Sequence, residues 1–391
     1  AINATAIIGM SMNESYEDIR DFVEYVNGPV SSKWGALRAA DGHPQPYNLK
    51  YIQVDNERGI SRGYVECMKK FAKAAWEIDP NMSIMTSLNI GSNGYKRDGT
   101  EQQKQEIARL RTQLTELEQA PSGKEREIRR MQQQIRQQEE NLGRQYELSS
   151  ELAGWFVAQG KGDKLAWDPH YSGAREFADR GDAFLNEMGI NLQRELAKDY
   201  PGFKLNLHPM EENGSRCDWD RGLAHAHNWN TLQRYGDCFQ MLGTANTFQP
   251  HGLQYMWDQG RIHYTPDAIW FQPSAHIDEM MMKTWKPNVV QSSSSDQSLD
   301  VTAKINDAKT EMTIYVANMS DQPQAAILNI ENFRFGSRAE VQTIGNCELT
   351  EYNTYENKDN VVFKSSKASI ARKNAKYVFP KYSYTVITLK K

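Results

Sequence analysis

No run of about 18 apolar residues occurs in the chain, so no segment is long and apolar enough to cross a membrane as a helix. Its four cysteines, Cys67, Cys217, Cys238 and Cys347, are scattered and show no CxxC spacing. That pattern indicates neither a zinc site nor a disulfide framework, and it leaves the redox compartment open. Charge of one sign is also missing: 46 Lys and Arg stand against 50 Asp and Glu, a net of −4. There is therefore no electrostatic case for nucleic acid or an anionic membrane as partner, and a neutral or small substrate is expected. The opening "AINATAIIGMSMNESYED" lacks the charged flank and cleavage site of a signal peptide. It reads as a buried strand (Ile7, Ile8, Met10) running into a helix, which suggests a true N-terminus upstream.

A chain of 391 residues suits one large domain plus a smaller one. From Ser15, Ile19, Phe22, Val23 and Val26 recur at helical spacing until Gly28-Pro29 stops them. "LKYIQVDNE" then alternates, with Ile52 and Val54 on one face and Tyr51, Gln53, Asp55 and Glu57 on the other. The helical "GYVECMKKFAKAAWEIDP" and the strand "MSIMTSLNIG" follow. Further on come the strand "KLAWDPHYSG", a helical stretch, the strand "FKLNLHPMEENG", the helix "DWDRGLAHAHNWNTLQRYGD" and the apolar "CFQMLGTANTFQP". Alternation of this kind predicts parallel βα units over residues 1–285.

Residues 101–147 break the rhythm. They are rich in Gln, Glu and Arg, with Ile107, Leu110, Leu114 and Leu117 before "APSGK" and Ile128, Met131 and Ile135 after it. The spacing predicts an inserted antiparallel coiled-coil hairpin of two helices, each roughly 28 Å long. A solvated decoration or a partner-binding arm would both fit. Beyond Trp285, "KPNVVQSSSSDQS" reads as a linker. The close-spaced strands "EMTIYVANMS", "AAILNIENF", "RAEVQTIG" and "YSYTVITLKK" predict a C-terminal antiparallel β-sandwich over 298–391.

Two predicted strands end on glutamates, one at Glu57 and the other at Glu211 and Glu212. A carboxylate pair at the mouth of a barrel is what glycoside hydrolysis requires. With the roughly 47-residue insertion set aside, Glu57 and Glu211 lie about three βα units of ~31 residues apart. That separation makes them near-opposite in an eight-stranded ring. Upstream of Glu57 there is room for only one βα unit, so two strands of such a ring are missing from this chain. His225 and His227, two positions apart on a helix, do not share a face, and packing or surface roles are expected for them.

The run "FVEYVNGPVSSKWGALRAADGHPQPYNLKYIQVDNE" resembles the signature of glycoside hydrolase family 51, in which a segment of the type "EYxNGP…WGxxRAxxGHPEPYNLKYxEVGNE" ends on the acid/base Glu. "EENGSRCDWDRGLAHAHNWNTLQRYGD" is similar to that family's nucleophile strand and the helix after it. The resemblance covers residues 5–95 and 150–285, and more loosely the C-terminal strands; the hairpin lies outside it. It implies a retaining α-L-arabinofuranosidase with a (β/α)8 TIM barrel, here without its first strands, acting on arabinose-containing oligo- or polysaccharides with no metal or cofactor.

Carried over residue by residue, Glu57 is the general acid/base and Asn56 bonds the sugar hydroxyl beside the anomeric carbon. Glu211 is the nucleophile, with Glu212 as its rival, and His170 and Tyr171 position sugar and nucleophile. Trp257 is a candidate sugar-subsite residue, with core packing equally open to it. Homo-oligomers are usual in the family, and a second chain supplying the missing strands is one origin for them. Localisation stays open, with a secreted or periplasmic site favoured over a cytoplasmic one. Two departures stand out: Asp55 replaces the usual Gly and Gln53 a Glu. They keep open another glycoside as substrate (an endo-β-glucanase, β-xylosidase or other furanosidase activity), or an inactive barrel that binds glycan or a partner.

Overall fold

Local signals place the helices of the N-terminal half before any packing is considered. Ser15, Ser32 and Ser61 each turn a hydroxyl back to accept a backbone N–H of the first turn, at Asp18, Gly35 and Tyr64 respectively. The computed structural model describes residues 5–88, 96–119, 123–174, 178–214, 216–252, 258–371 and 375–391. They form two compact units, Ala1–His170 with Leu185–Pro209, and Tyr171–Phe184 with Met210–Lys391.

In the first unit, β1 (Ile7–Met10), α1 (Tyr16–Asn27), α2 (Lys33–Ala40), β2 (Tyr51–Arg58), α3 (Arg62–Trp76) and β3 (Ser83–Leu88) follow in order. Then come α4 (Glu101–Glu118), α5 (Glu125–Asn141), α6 (Arg144–Ala158) and β4 (Leu165–Trp167). The four strands make a parallel sheet in sequence order, with Ile8 beside Ile52, Ile52 beside Ile84 and Ile84 beside Leu165. A helical connection between each pair of neighbours is what parallel pairing demands. Ile52, Val54 and Ile84 are fully buried, as are Val23, Met68 and Phe71 of the connecting helices. Helices α4 and α5 pack on each other, and Ile107, Leu110 and Ile135 are their buried positions. The helix α8 (Ile190–Asp199), which follows α7 (Asp182–Glu187), packs on α6.

The segment before β2 explains its own composition. Asn27 donates its amide to the Leu49 carbonyl (2.8 Å) and to Asp79 (2.7 Å), and it accepts the Leu49 N–H (2.9 Å). Arg38, fully buried, donates to the carbonyls of Tyr25, His43 and Pro44. These bonds tie the long loop between α2 and β2 to α1, and so fix where β2 enters the sheet.

In the second unit, β5 (Tyr171–Ser172) pairs in parallel with β6 (Glu212–Asn213), and α9 (Trp219–Arg234) follows. A three-stranded sheet of β7 (Phe248–Pro250), β8 (Ile262–Tyr264) and β9 (Ile269–Phe271) leads to α10 (Pro273–Thr284). The remaining strands are β10 (Asn288–Val290), β11 (Leu299–Ile305), β12 (Glu311–Asn318), β13 (Gln324–Leu328), β14 (Arg338–Gly345), β15 (Lys364–Ser369), β16 (Ala375–Phe379) and β17 (Ser383–Lys390).

Six of them form an antiparallel sheet in the order β10-β11-β12-β17-β14-β15, and β13 pairs with β16. Ile314, Val316, Ile387 and Leu389 share a core with Phe335, Val341 and Phe379. The alternate residues Tyr315, Ala317, Tyr384 and Val386 pack with Trp219 and Leu223 of α9 and Ile277 and Met280 of α10. Both faces of β12 and β17 are therefore covered, and both strands are buried along almost their whole length.

Three expectations need correction. "FKLNLHPMEENG" is not one strand: among the described residues it holds only a bridge from Leu207 to Trp167 and the two residues of β6. Pro209 lies between them and has no N–H for a ladder. "KLAWDPHYSG" likewise divides into β4 and β5 around Pro169. The expected linker "KPNVVQSSSSDQS" contains β10, whose Asn288 pairs with Ile305.

Gly35 sits where an added Cβ would lie 2.0 Å from the Pro29 carbonyl oxygen. Because backbone cannot swing aside, Gly35→Ala is expected to lower stability by about 1–3 kcal/mol in denaturant unfolding; an unchanged midpoint would contradict this packing.

Candidate active site

The carboxyl end of β2 departs from regular strand geometry. Val54 pairs with Thr86 but Arg58 with Leu88, so extra residues bulge out between them. Asp55 and Glu57 both take left-handed backbone angles, with φ of 61° and 50°. Such conformations in non-glycine residues cost of order 1–3 kcal/mol each and persist only where surrounding bonds hold them. Asp55 supplies those bonds: its carboxylate accepts the N–H groups of Asn56 (2.8 Å) and Met12 (3.4 Å) and a guanidinium N–H of Arg58 (3.2 Å). Burial pushes the Asp55 carboxyl up, but these donors outweigh it and hold the group below its ordinary value. Asn56 is exposed at the turn of the bulge.

Glu57 is half exposed, at 49% of its side chain, and its Oε1 lies 3.0 Å from His170 Nδ1. His170 is buried, and its Nε2 lies 3.3 Å from Oδ2 of the fully buried Asp168. Gln53 donates its amide to the same Asp168 oxygen at 3.0 Å. The bulged end of β2 thus brings a buried acid, an imidazole and an open carboxylate together. His208, which the sequence did not single out, is buried edge-on to the Tyr51 ring at 4.9 Å. Burial holds its pKa down at about 4, so it is neutral at pH 7.

In the second unit, adjacent glutamates have opposite fates. Glu212 is fully buried. Its carboxylate meets Arg221 at 3.2 Å, takes a close hydrogen bond from His225 Nδ1, and accepts the Asn228 amide at 3.4 Å. His225 Nε2 reaches Asp278 at 2.7 Å, and Asp278 is paired in turn with Arg261. Burial pushes the Glu212 carboxyl up, yet Arg221 and His225 more than offset it and hold the group at about 2. Asp278 is likewise driven well below the carboxylate range, against its burial, by Arg261 and His225. Burial lowers the pKa of His225 itself, but Glu212 and Asp278 prevail and raise it.

Arg221 is confined by two glycines: a Cβ at Gly173 or Gly214 would lie 1.9 or 2.1 Å from its guanidinium nitrogens. Glu211 is only partly buried. Its carbonyl accepts the N–H of the buried Tyr171 at 3.2 Å.

Glu57 and His170 are therefore brought together in the first unit, with Asn56 beside Glu57 in the chain. Glu211, Glu212 and Tyr171 belong to the second, and Trp257 lies outside the described residues. Sequence reasoning missed Asp168, Arg221, Asp278 and Arg261. "WDPH" and "DWDRG" contain the first two, but a charge buried by distant partners leaves no local pattern. His225 and His227 are buried ion-pair partners, His227 lying between Asp179 at 3.1 Å and Asp300 at 2.9 Å.

Cys217, Asp258 and His263 also approach one another closely enough to suggest a cation site. Gln272, oriented by both of its bonds to the Asn353 backbone, points its amide N–H at His263 Nδ1 from 3.3 Å. The proton of the neutral ring is then on Nε2, the atom a cation would need.

Two family models match the chain: the alpha-L-arabinofuranosidase 1 domain over residues 1–122 and the alpha-L-arabinofuranosidase C-terminal domain over residues 205–383. The extracellular exo-alpha-L-arabinofuranosidase of Streptomyces chartreusis is 34% identical over 82 residues, 21% of this chain and 10% of that protein. Alpha-L-arabinofuranosidase 2 of Arabidopsis thaliana is 36% identical over 72 residues, 18% of this chain and 11% of that protein. The matched stretches thus span about a tenth of these relatives' length.

Among solved structures, the alpha-L-arabinofuranosidase of Thermotoga maritima, in an arabinose complex, superposes with a TM-score of 0.67 at 16% identity, covering 99% of this chain and 75% of that one. The family 51 enzyme of Thermotoga petrophila gives 0.68 at 17%, covering 100% and 76%. A family 44 xyloglucanase of Paenibacillus polymyxa gives 0.59 at 14%, covering 99% and 75%. At such identities the likeness is one of fold.

Glu212→Gln is expected to destabilise the protein by about 3–5 kcal/mol at pH 7, because it leaves Arg221 and His225 without their shared counter-charge. The folded pKa of Glu212 lies below its unfolded value, so its contribution is complete above about pH 4.5 and fades as pH falls toward 2. Unfolding curves across that window should be steeper in pH for the parent than for the variant; parallel curves would contradict the assignment.

Proposed function

The chain belongs to the α-L-arabinofuranosidases of glycoside hydrolase family 51, and from that premise we propose that it is a retaining, exo-acting hydrolase of terminal α-L-arabinofuranose. Its substrates in this reading are arabinan, arabinoxylan or arabino-oligosaccharides. The observation that carries the reading is Glu57: a solvent-reaching carboxylate thrown outward by a bulge at the carboxyl end of a parallel strand and backed by a buried imidazole. In barrels of this type, catalytic groups come from strand ends at that face. In this reading the four-stranded sheet β1 to β4 supplies part of the barrel wall.

Retention needs the two carboxyls ~5–5.5 Å apart, with one protonated. Glu57 protonates the leaving oxygen while Glu211 attacks the anomeric carbon; Glu57 then takes a proton from the water that releases the sugar. Glu211 is preferred to Glu212 because both oxygens of Glu212 are engaged by buried partners. An ester to the sugar would require breaking those contacts and opening a fully buried group. In this reading Asn56, exposed next to Glu57, bonds a sugar hydroxyl. Neither step calls for a metal or an organic cofactor.

A second reading keeps the fold and changes the glycoside. Gln53 and Asp55 alter the surroundings of Glu57, and the fold is shared with a xyloglucanase. A panel of aryl glycosides separates the two.

Release of 4-nitrophenol from 4-nitrophenyl α-L-arabinofuranoside tests the assignment. Glu57→Gln and Glu211→Gln are each expected to lose ~10³-fold or more of turnover while remaining folded. Retained turnover in either folded variant would remove that residue from the mechanism.

A further inference from the structure

Four side chains of the first unit, Gln53, Asp168, His170 and Glu57, form one hydrogen-bonded line from a buried acid to an open one. We propose that Asp168 is a positioning residue which fixes the tautomer of His170 and so loads the Glu57–His170 contact with the proton used in the acid step. The inference rests on the glycosidase reading above and deepens it.

The backbone of Asp168 is anchored by its N–H to the Thr86 carbonyl at 3.2 Å, and its side chain is fully buried. A carboxylate can only accept. Its Oδ2 takes one N–H from Gln53 at 3.0 Å, and the His170 nitrogen 3.3 Å away is therefore the N–H of the ring. A neutral imidazole protonated on Nε2 presents a lone pair at Nδ1. That lone pair lies 3.0 Å from Glu57 Oε1.

Two lone pairs at this distance repel unless a proton lies between them. The pair therefore holds one, either as a carboxylic acid donating to the ring or as an imidazolium donating to the carboxylate.

In the first chemical step the proton passes to the glycosidic oxygen, which keeps the electrons of the breaking bond, while Glu211 forms an ester to the anomeric carbon. In the second, water gives a proton back to Glu57 as its oxygen bonds the anomeric carbon, and Glu211 departs with the ester electrons. The pair ends as it began.

Gln53 belongs to the same device. The family pattern has Glu at this position, and a Glu here would set a second acid against Asp168. The amide instead donates to Asp168. Among the described residues of the first unit, other ionisable groups on β2 and packed against it are Asp55, paired with Arg58 at 3.1 Å, and Tyr51 and His208, whose rings meet at 4.9 Å. From α3, Tyr64 bonds the Val54 carbonyl and Cys67 the Met12 carbonyl. Glu211 joins this set in the reading above.

The experiment is the pH profile of kcat/KM for the full-length protein on phenyl α-L-arabinofuranoside, whose poor leaving group needs the proton. 4-Nitrophenyl α-L-arabinofuranoside, which needs it far less, runs alongside. Asp168→Asn is expected to move the alkaline limb to lower pH by about one unit or more on the phenyl substrate, with a smaller change on the nitrophenyl one. Gln53→Glu, which adds negative charge at the same place, is expected to move the limb the other way.

A purely structural role would lower rates without opposed shifts. Coincident limbs, or shifts of one sign in both variants, overturn the proposal. If Asp168→Asn does not fold, Gln53→Glu decides alone, and an unmoved or acid-shifted limb overturns it. A parent silent on both substrates overturns the glycosidase reading and this inference with it. A parent active on both, with unmoved variants, overturns this inference only.

Discussion

Glu212 carries a negative charge where no water reaches it, and the second unit is organised around making that tolerable. An isolated buried carboxylate would be neutralised by taking up a proton. Here Arg221 and His225 on one helix, backed by Asp278 and Arg261, supply the compensation. Their positions are demanded rather than convenient: Arg221 fits only because Gly173 and Gly214 leave room for it. The helix that bears it packs on the C-terminal sheet through Trp219 and Leu223. Glu211, just before the two residues of β6, stays only partly buried beside it.

The first unit meets the converse demand, holding a carboxylate in the open rather than sealing one away. A regular strand would have continued past Asp55 with its ladder intact. The bulge and two left-handed residues interrupt it, and Asp55 stabilises the distortion with bonds to the backbone on both sides. The replacement of a glycine expected at this place by Asp55 is intelligible on this basis. Glycine takes a positive φ at no steric cost; Asp pays that strain and offsets it with three accepted hydrogen bonds.

How much of this was legible depended on how local each signal is. Ile52 and Val54 alternate with polar neighbours, and the Glu57 that ends the run could be read as a strand-end acid from that alternation. The helices were legible from periodicity, and the structure adds caps at Ser15, Ser61 and Thr100. The fragments β4, β5 and β6 were overrun, since apolar content says nothing about where Pro169 and Pro209 cut a ladder. The choice between Glu211 and Glu212 was not decidable from "EENG", because burial of one depends on Arg221, His225 and, through them, Asp278, many residues away. Asp168 was hidden for the same reason: its partner Gln53 is 115 positions distant.

The central claim is that Glu211 forms the covalent bond to the sugar while Glu212 holds the frame. Incubation with a 2-deoxy-2-fluoro-α-L-arabinofuranosyl donor carrying a good leaving group, followed by proteolysis and mass spectrometry, addresses it directly. The expected result is one sugar per chain, located on Glu211. A label on Glu212, or turnover with no labelled carboxylate in the segment from Met210 to Asn213, would contradict it.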